Sequence, residues 1–93
     1  MSESLFNLKG KVAIITGASR GIGEAIATQL GLSGAKIIIS GRKEDALIKT
    51  TSKLISLGIE CQYLASNNGI ESDNQALVHF TLKTFGGVDI LVN

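Results

Sequence analysis

The run Val12-Ala13-Ile14-Ile15 is apolar at every position and stops at Thr16, after which Gly17, Gly21 and Gly23 follow within a few residues. A strand open to water on one face alternates apolar and polar side chains. An unbroken, β-branched run therefore calls for a strand covered on both faces, as in a parallel sheet between helices. The glycines lack the Cβ atoms that would stop the chain turning sharply, and they let backbone N–H groups come within reach of a ligand. Beyond them Ile22, Ala25, Ile26, Gln29 and Leu30 fall at helical spacing, so a helix runs from about Ile22 to Leu32. Unpaired N–H groups and the positive end of the helix dipole meet at its start, which makes an anion site without a charged side chain. Glycine spacing alone would be weak evidence; its place between a strand and a helix is what points to a phosphate.

The rest of the chain repeats the alternation. Ser33-Gly34 ends the first helix, and Lys36-Ile37-Ile38-Ile39-Ser40 reads as a second buried strand. Between Lys43 and Leu57, the residues Ala46, Leu47, Thr51, Leu54, Ile55 and Leu57 mark one face of a second helix that ends at Gly58. Ile59 to Ala65 gives a third strand, at a sheet edge because Glu60 and Gln62 interrupt the apolar pattern. After the turn cluster Ser66-Asn67-Asn68-Gly69, a third helix is expected from about Glu71 to Phe85, with Leu77, Phe80, Thr81, Thr84 and Phe85 inward. Gly86-Gly87 ends it, and Val88 to Asn93 forms a fourth strand. This order predicts an α/β fold, a single domain over residues 1–93 with a parallel sheet ordered 3-2-1-4. It is the N-terminal part of a doubly wound, Rossmann-type fold. Phe6 and Leu8 are expected to tuck against the sheet edge, and the outer side of the fourth strand to be an apolar edge open to pairing.

Composition removes several function classes. A net charge of +1, with scattered lysines and arginines, gives no field for nucleic acid or an anionic membrane, so neither is expected as a partner. One cysteine, Cys61, and one histidine, His79, form no disulfide and no metal-ligand cluster; Cys61 is expected to pack and His79 to be solvated. The start MSESLFNLKG lacks the basic opening and apolar core of a signal peptide, and no apolar stretch approaches about 20 residues, so a cytoplasmic setting is expected. Eleven glycines and no proline, with 44% hydrophobic and 18% charged residues, fit a packed domain. At this length it buries only about 60–65% of its unfolded surface, which leaves a thin stability margin.

Thr16-Gly17-Ala18-Ser19-Arg20-Gly21-Ile22-Gly23 resembles TGxxxGxG, the cofactor fingerprint of the short-chain dehydrogenase/reductase family, and Asp89 to Asn93 resembles the family's DILVN segment leading into NNAG. The resemblance covers Leu8 to Asn93. It implies a dinucleotide held by Gly17, Ser19, Arg20, Gly21, Ile22 and Gly23, with Asn93 lining the groove and bracing the Thr16 region.

The residue at the end of the second strand meets the adenosine ribose, where an acid pairs with the hydroxyls of NAD and repels the 2′-phosphate of NADP. Ser40-Gly41-Arg42 has no acid there, and Arg42 offers a planar fork of donors to a phosphate. Arg20 occupies a place where NADP-preferring members of the family carry a second basic residue. Two such partners, each worth about 1.5–3 kcal/mol, favour NADP(H). A solvated arginine at a helix start is the plainer reading of Arg42 by itself, and Glu44 or Asp45 bent back to the ribose would defeat the choice. By spacing to Gly86, the loop that reads adenine in the family falls at Asn67-Asn68, replacing the usual Asp and apolar residue. Asn67 keeps an acceptor oxygen and Asn68 a backbone N–H, while a plain Asn-Asn-Gly turn stays open.

The family's chemistry is hydride transfer between nicotinamide and a carbonyl or alcohol substrate, with a serine, a tyrosine and a lysine at the reacting carbon. No YxxxK occurs in this sequence, and Tyr63 has no lysine at that spacing, so no catalytic residue is assigned. Three readings remain: the cofactor-binding portion of a full reductase, a homo-oligomer at full length; a free-standing nucleotide-binding module; and a self-associating remnant that binds no nucleotide.

Overall fold

The computed structural model describes residues 7–17 and 21–93. Four parallel strands, β1 (Val12–Thr16), β2 (Lys36–Gly41), β3 (Cys61–Ala65) and β4 (Ile90–Val92), alternate with three helices, α1 (Gly21–Leu32), α2 (Glu44–Ser56) and α3 (Glu71–Phe85). The sheet order is β3-β2-β1-β4.

The register explains why the two central strands are apolar throughout. Ala13 pairs with Ile37 and Ile37 with Cys61, while Ile15 pairs with Ile39 and Ile39 with Tyr63, so one set of alternate residues shares a face. That face packs on Ala27 of α1 and on Leu47 and Leu54 of α2. The intervening residues Ile14 and Ile38 point the other way and pack on Leu77, Phe80 and Phe85 of α3. Each isoleucine of β1 and β2 is at most 1% exposed, and full burial of such a side chain stabilises by about 1.5–3 kcal/mol.

The helical faces differ in detail from the periodicity. On α1 the buried residue is Ala27, with Ile26 and Leu30 packed beside it, whereas Ile22 is 79% exposed and Ala25 is also exposed. On α2 the covered face is Leu47, Thr50, Thr51 and Leu54, and Ile55 and Leu57 lie outside. Thr81 is fully buried on α3 because its hydroxyl donates to the Leu77 carbonyl at 2.8 Å, which leaves a valine-like surface; Thr84 is exposed. At Gly31 of α1 a Cβ would stand 2.6 Å from Ile59 Cγ2, so this helix lies tight against the segment leading into β3.

Two ends of the molecule are fastened by backbone contacts. The Leu8 N–H donates to the Ser33 carbonyl at 2.8 Å, and Leu8 packs against the core as expected; Phe6 lies outside the described residues. β4 is shorter than the sequence pattern because Val88 and Asp89 precede it, and Asp89 does a different job. Its N–H donates to the Val12 carbonyl at 2.8 Å, and its Oδ2 accepts the Val12 N–H at 2.9 Å. The outer edge of β4 carries Leu91, 60% exposed.

Candidate functional site

Parallel strands leave all their C-terminal ends on one side, and in doubly wound sheets that edge is where ligands bind. Here it gathers Thr16-Gly17 from β1, Gly41-Arg42 from β2, Ser66-Asn67-Asn68 after β3 and Asn93 after β4. Cross-strand bonds hold the edge together. The Gly17 N–H donates to the Ser40 carbonyl and the Ser66 N–H to the Gly41 carbonyl, both at 2.8 Å. The Thr16 hydroxyl lies 3.3 Å from both the Val92 carbonyl and Asn93 Oδ1.

Gly17 and Gly21 have φ of 69° and 66°, a region that side chains disfavour, and nothing stands within 4 Å of where their Cβ atoms would be. The backbone is bare to solvent there, and α1 begins at Gly21 with its unpaired N–H groups. Ile22 is exposed and Gly23 half-buried in that first turn. Ser19 and Arg20 lie outside the described residues. Gly41 differs from the other two: a Cβ there would meet Leu47 Cδ2 at an ordinary 3.6 Å, so the protein itself does not require glycine at this place.

The strand-end loops form two hollows, and Asn67 and Asn68 fall into different ones. Arg42, Ala65, Ser66, Asn67 and Asp73 surround about 260 Å³. Asn68, Asn74, Thr16, Asn93 and the apolar residues Ile14, Leu77, Val78 and Leu91 surround about 430 Å³. The loop between β3 and α3 is braced from the helix. Asp73 Oδ2 accepts the Asn67 N–H at 2.7 Å, and Asn74 Nδ2 donates to the Asn68 carbonyl at 3.0 Å. Asn67 Oδ1 accepts the Gly69 N–H at 2.9 Å, so the amide oxygen expected to meet a base is already engaged in the turn. Asp73 and Asn74 had no motif to mark them; the available signal was two short polar side chains in a first helical turn whose N-cap, Ile70, offers no side-chain oxygen.

Next to Arg42, Glu44 and Asp45 lie in the first turn of α2, where acids complement the dipole. The Tyr63 hydroxyl donates to Glu44 Oε2 at 3.1 Å, and that carboxylate pushes the Tyr63 phenol above its ordinary range.

The short chain dehydrogenase family profile matches residues 11–93. The chain belongs to the short-chain dehydrogenase family. A curated relative, peroxisomal 2,4-dienoyl-CoA reductase of Arabidopsis thaliana, is 42% identical over 86 residues, 92% of this chain and 29% of that protein. A family structure from Burkholderia phymatum in complex with NAD superposes with a TM-score of 0.89 at 34% identity, covering 94% of this chain and 31% of that one. A metagenomic short-chain oxidoreductase in complex with NADP gives 0.86, also at 34% identity, over 91% of this chain and 38% of that one. The chain spans about a third of the length of the curated relatives it matches. Members of the family bind nicotinamide dinucleotides, and both kinds appear among these structural neighbours.

Two other titratable residues stand apart from the site. His79 is exposed on α3. Cys61 is 2% exposed, and burial pushes its thiol from 9.0 up to about 11, with the Thr51 hydroxyl pulling the other way. The thiolate is the reactive form, so alkylation of the native protein near pH 8 is expected to run about 100-fold slower than that of the unfolded chain. Above pH 9.0 the unfolded state releases this proton while the folded state keeps it, so this contribution to stability declines from pH 9.0 to about 11. Iodoacetamide labelling with and without urea, and denaturation midpoints across that window, check both statements.

Proposed function

We propose that this chain binds NADP(H) and forms the cofactor-holding portion of an oxidoreductase that moves a hydride between the nicotinamide and a carbonyl or alcohol carbon. The observation that carries the cofactor choice is the end of β2. Gly41-Arg42 stands where an acid would meet the ribose, Arg42 lines a hollow with Ser66 and Asn67, and the nearby acid Glu44 accepts the Tyr63 hydroxyl at 3.1 Å. Under this reading the guanidinium pairs with the 2′-phosphate, with Arg20 as its second cation. Gly17, Ser19, Gly21, Ile22 and Gly23 cradle the pyrophosphate at the start of α1, supported by the open space at Gly17 and Gly21. Asn67 and Asn68 flank the adenine, and Asn93, bonded to Thr16, walls the groove on the β4 side.

The bound nicotinamide supplies the hydride; the residues of this chain bind and orient it. The groups at the reacting carbon are the serine, tyrosine and lysine that the family carries elsewhere, since this sequence has no YxxxK. A cytoplasmic setting and a homo-oligomer at full length belong to the same proposal.

A second reading, self-association without nucleotide, has in its favour that β4 ends the sheet order and leaves its outer edge unpaired among the described residues. Titration calorimetry with NADP and NAD, with sedimentation of the same sample, separates the readings. NADP is expected to bind more tightly by about tenfold or more. Affinities within a factor of about three, against that margin, overturn the cofactor choice. Assembly with no binding of either cofactor favours the second reading.

A further inference from the structure

The hollow at the ends of β2 and β3 is lined by a base, Arg42, and an acid, Asp73. Asn67 lines it too, at the place where the family resemblance puts an acceptor for the adenine amino group. Its Oδ1, however, accepts the Gly69 N–H at 2.9 Å, and the Asn67 carbonyl accepts the Ile70 N–H at 3.0 Å. That bond leaves the amide oxygen one lone pair and fixes the direction in which it faces.

Asp73 has capacity to spare. An ionised carboxylate has two oxygens and about four lone-pair directions. Among the described residues, one of those directions is engaged, by the 2.7 Å bond from the Asn67 N–H. That bond also fixes the side chain against the loop, so the group is oriented before any ligand arrives. A charged acceptor makes a stronger hydrogen bond than an amide oxygen does.

We infer that Asp73, rather than Asn67, accepts the hydrogen bond of the adenine exocyclic amino group, so that the purine-reading acid is carried by helix α3 and not by the loop after β3. The inference rests on the dinucleotide reading given above. It assigns the two charged residues of the hollow to opposite ends of the adenosine. The carboxylate faces the amino group of the base, and the guanidinium faces the 2′-phosphate on the ribose.

Hypoxanthine in place of adenine exchanges the amino donor for a carbonyl acceptor and turns N1 from an acceptor into an N–H donor. The test therefore compares NADP and NAD with their hypoxanthine counterparts by calorimetry on the native protein, and reads the amino contact from the change in that ratio when Asp73 is replaced. The adenine forms are expected to bind about tenfold more tightly. Asp73→Asn, which is isosteric and can turn an N–H₂ group toward the base, is expected to bring that ratio to about one to two. Asn67→Ala gives up the turn bond to the Gly69 N–H, so it is expected to weaken adenine and hypoxanthine cofactors by the same factor and to keep their ratio. Should Asp73→Asn fold poorly, Asp73→Ser is read in the same way. If the Asp73 variants bind both base types more weakly by the same factor, the residue only braces the loop and the inference fails. It fails equally if Asn67→Ala abolishes the preference, or if the native protein binds both base types alike. A native protein that binds no cofactor of either kind refutes the dinucleotide reading itself.

Discussion

Replacing Arg42 by aspartate is expected to reverse the cofactor preference, with NADP affinity falling by about 100-fold and NAD affinity rising. The loss has two parts. A charge-assisted bond to the 2′-phosphate is worth about 1.5–3 kcal/mol, which is roughly ten- to a hundredfold in affinity. An acid in its place then repels the phosphate and accepts the ribose hydroxyls of NAD instead. Arg42→Ala isolates the first part, so NADP is expected to weaken by about tenfold with little change for NAD. Arg42 is exposed, at the junction of β2 and α2, so neither change disturbs the core. The native advantage of NADP should also shrink as salt is raised, because an exposed ion pair is screened. Calorimetry with both cofactors at two ionic strengths checks all of this. If Arg42→Asp kept the native preference, the phosphate would have to be read by another cation.

The largest effect on stability is expected at Gly34, far from the cofactor edge. Its φ is 111°, and a Cβ there would stand 2.8 Å from the Lys9 backbone nitrogen. The obstacle is main chain, and the Leu8 N–H is tied to the Ser33 carbonyl beside it, so the lead-in cannot step aside cheaply. Backbone strain of about 1–3 kcal/mol and a displaced segment together give a cost near 3 kcal/mol or more for Gly34→Ala. Domains of ordinary stability have about 5–15 kcal/mol in hand, and a small one sits at the low end, so the variant is expected to keep about 2 kcal/mol and to be a few per cent unfolded at room temperature. Gly58 is the control. Its φ is 85° with nothing within 4 Å of a Cβ, so alanine there is expected to cost about 1 kcal/mol. Urea denaturation of both variants distinguishes a general glycine effect from the contact with Lys9.

The strands were legible because β1 and β2 are covered on both faces, and a run such as Ile37-Ile38-Ile39 has little choice but to lie at the centre of a sheet. Strand order followed from alternation and crossover handedness. Which helical residues face inward was less legible, since periodicity registers side-chain type and not what lies opposite. Ile22 counts as apolar in any window, yet it stands at the exposed start of α1. Thr50 counts as polar, yet it is buried, whereas Thr81, expected inward from its spacing, is buried and meets its hydrogen-bonding need inside its own helix. At the site, the residue types at the strand ends could be read from the sequence, but their hydrogen-bond partners could not. Asn67-Asn68-Gly69 allows the turn in which the first amide oxygen accepts the Gly69 N–H, but nothing in it says that Asp73 supports the loop from behind. Such bonds depend on the distance between two elements, which only the packing of α3 against the sheet sets. The Glu44–Tyr63 bond belongs to the same class, joining a helix start to an edge strand.

The fastening of β1 to Asp89 has a consequence for the order in which the molecule can be assembled. β1 is synthesised before β2, β3 and β4, and it meets β2 across one short crossover. Its other side waits for a residue 77 positions further along. Closing the longer loop costs about 1 kcal/mol more in chain entropy than closing the shorter one, and contacts so distant in sequence slow folding. A nascent chain therefore carries its glycine turn on a strand with one bare edge until residues 89–92 leave the ribosome, and until then that edge is the place where a neighbouring chain can take hold.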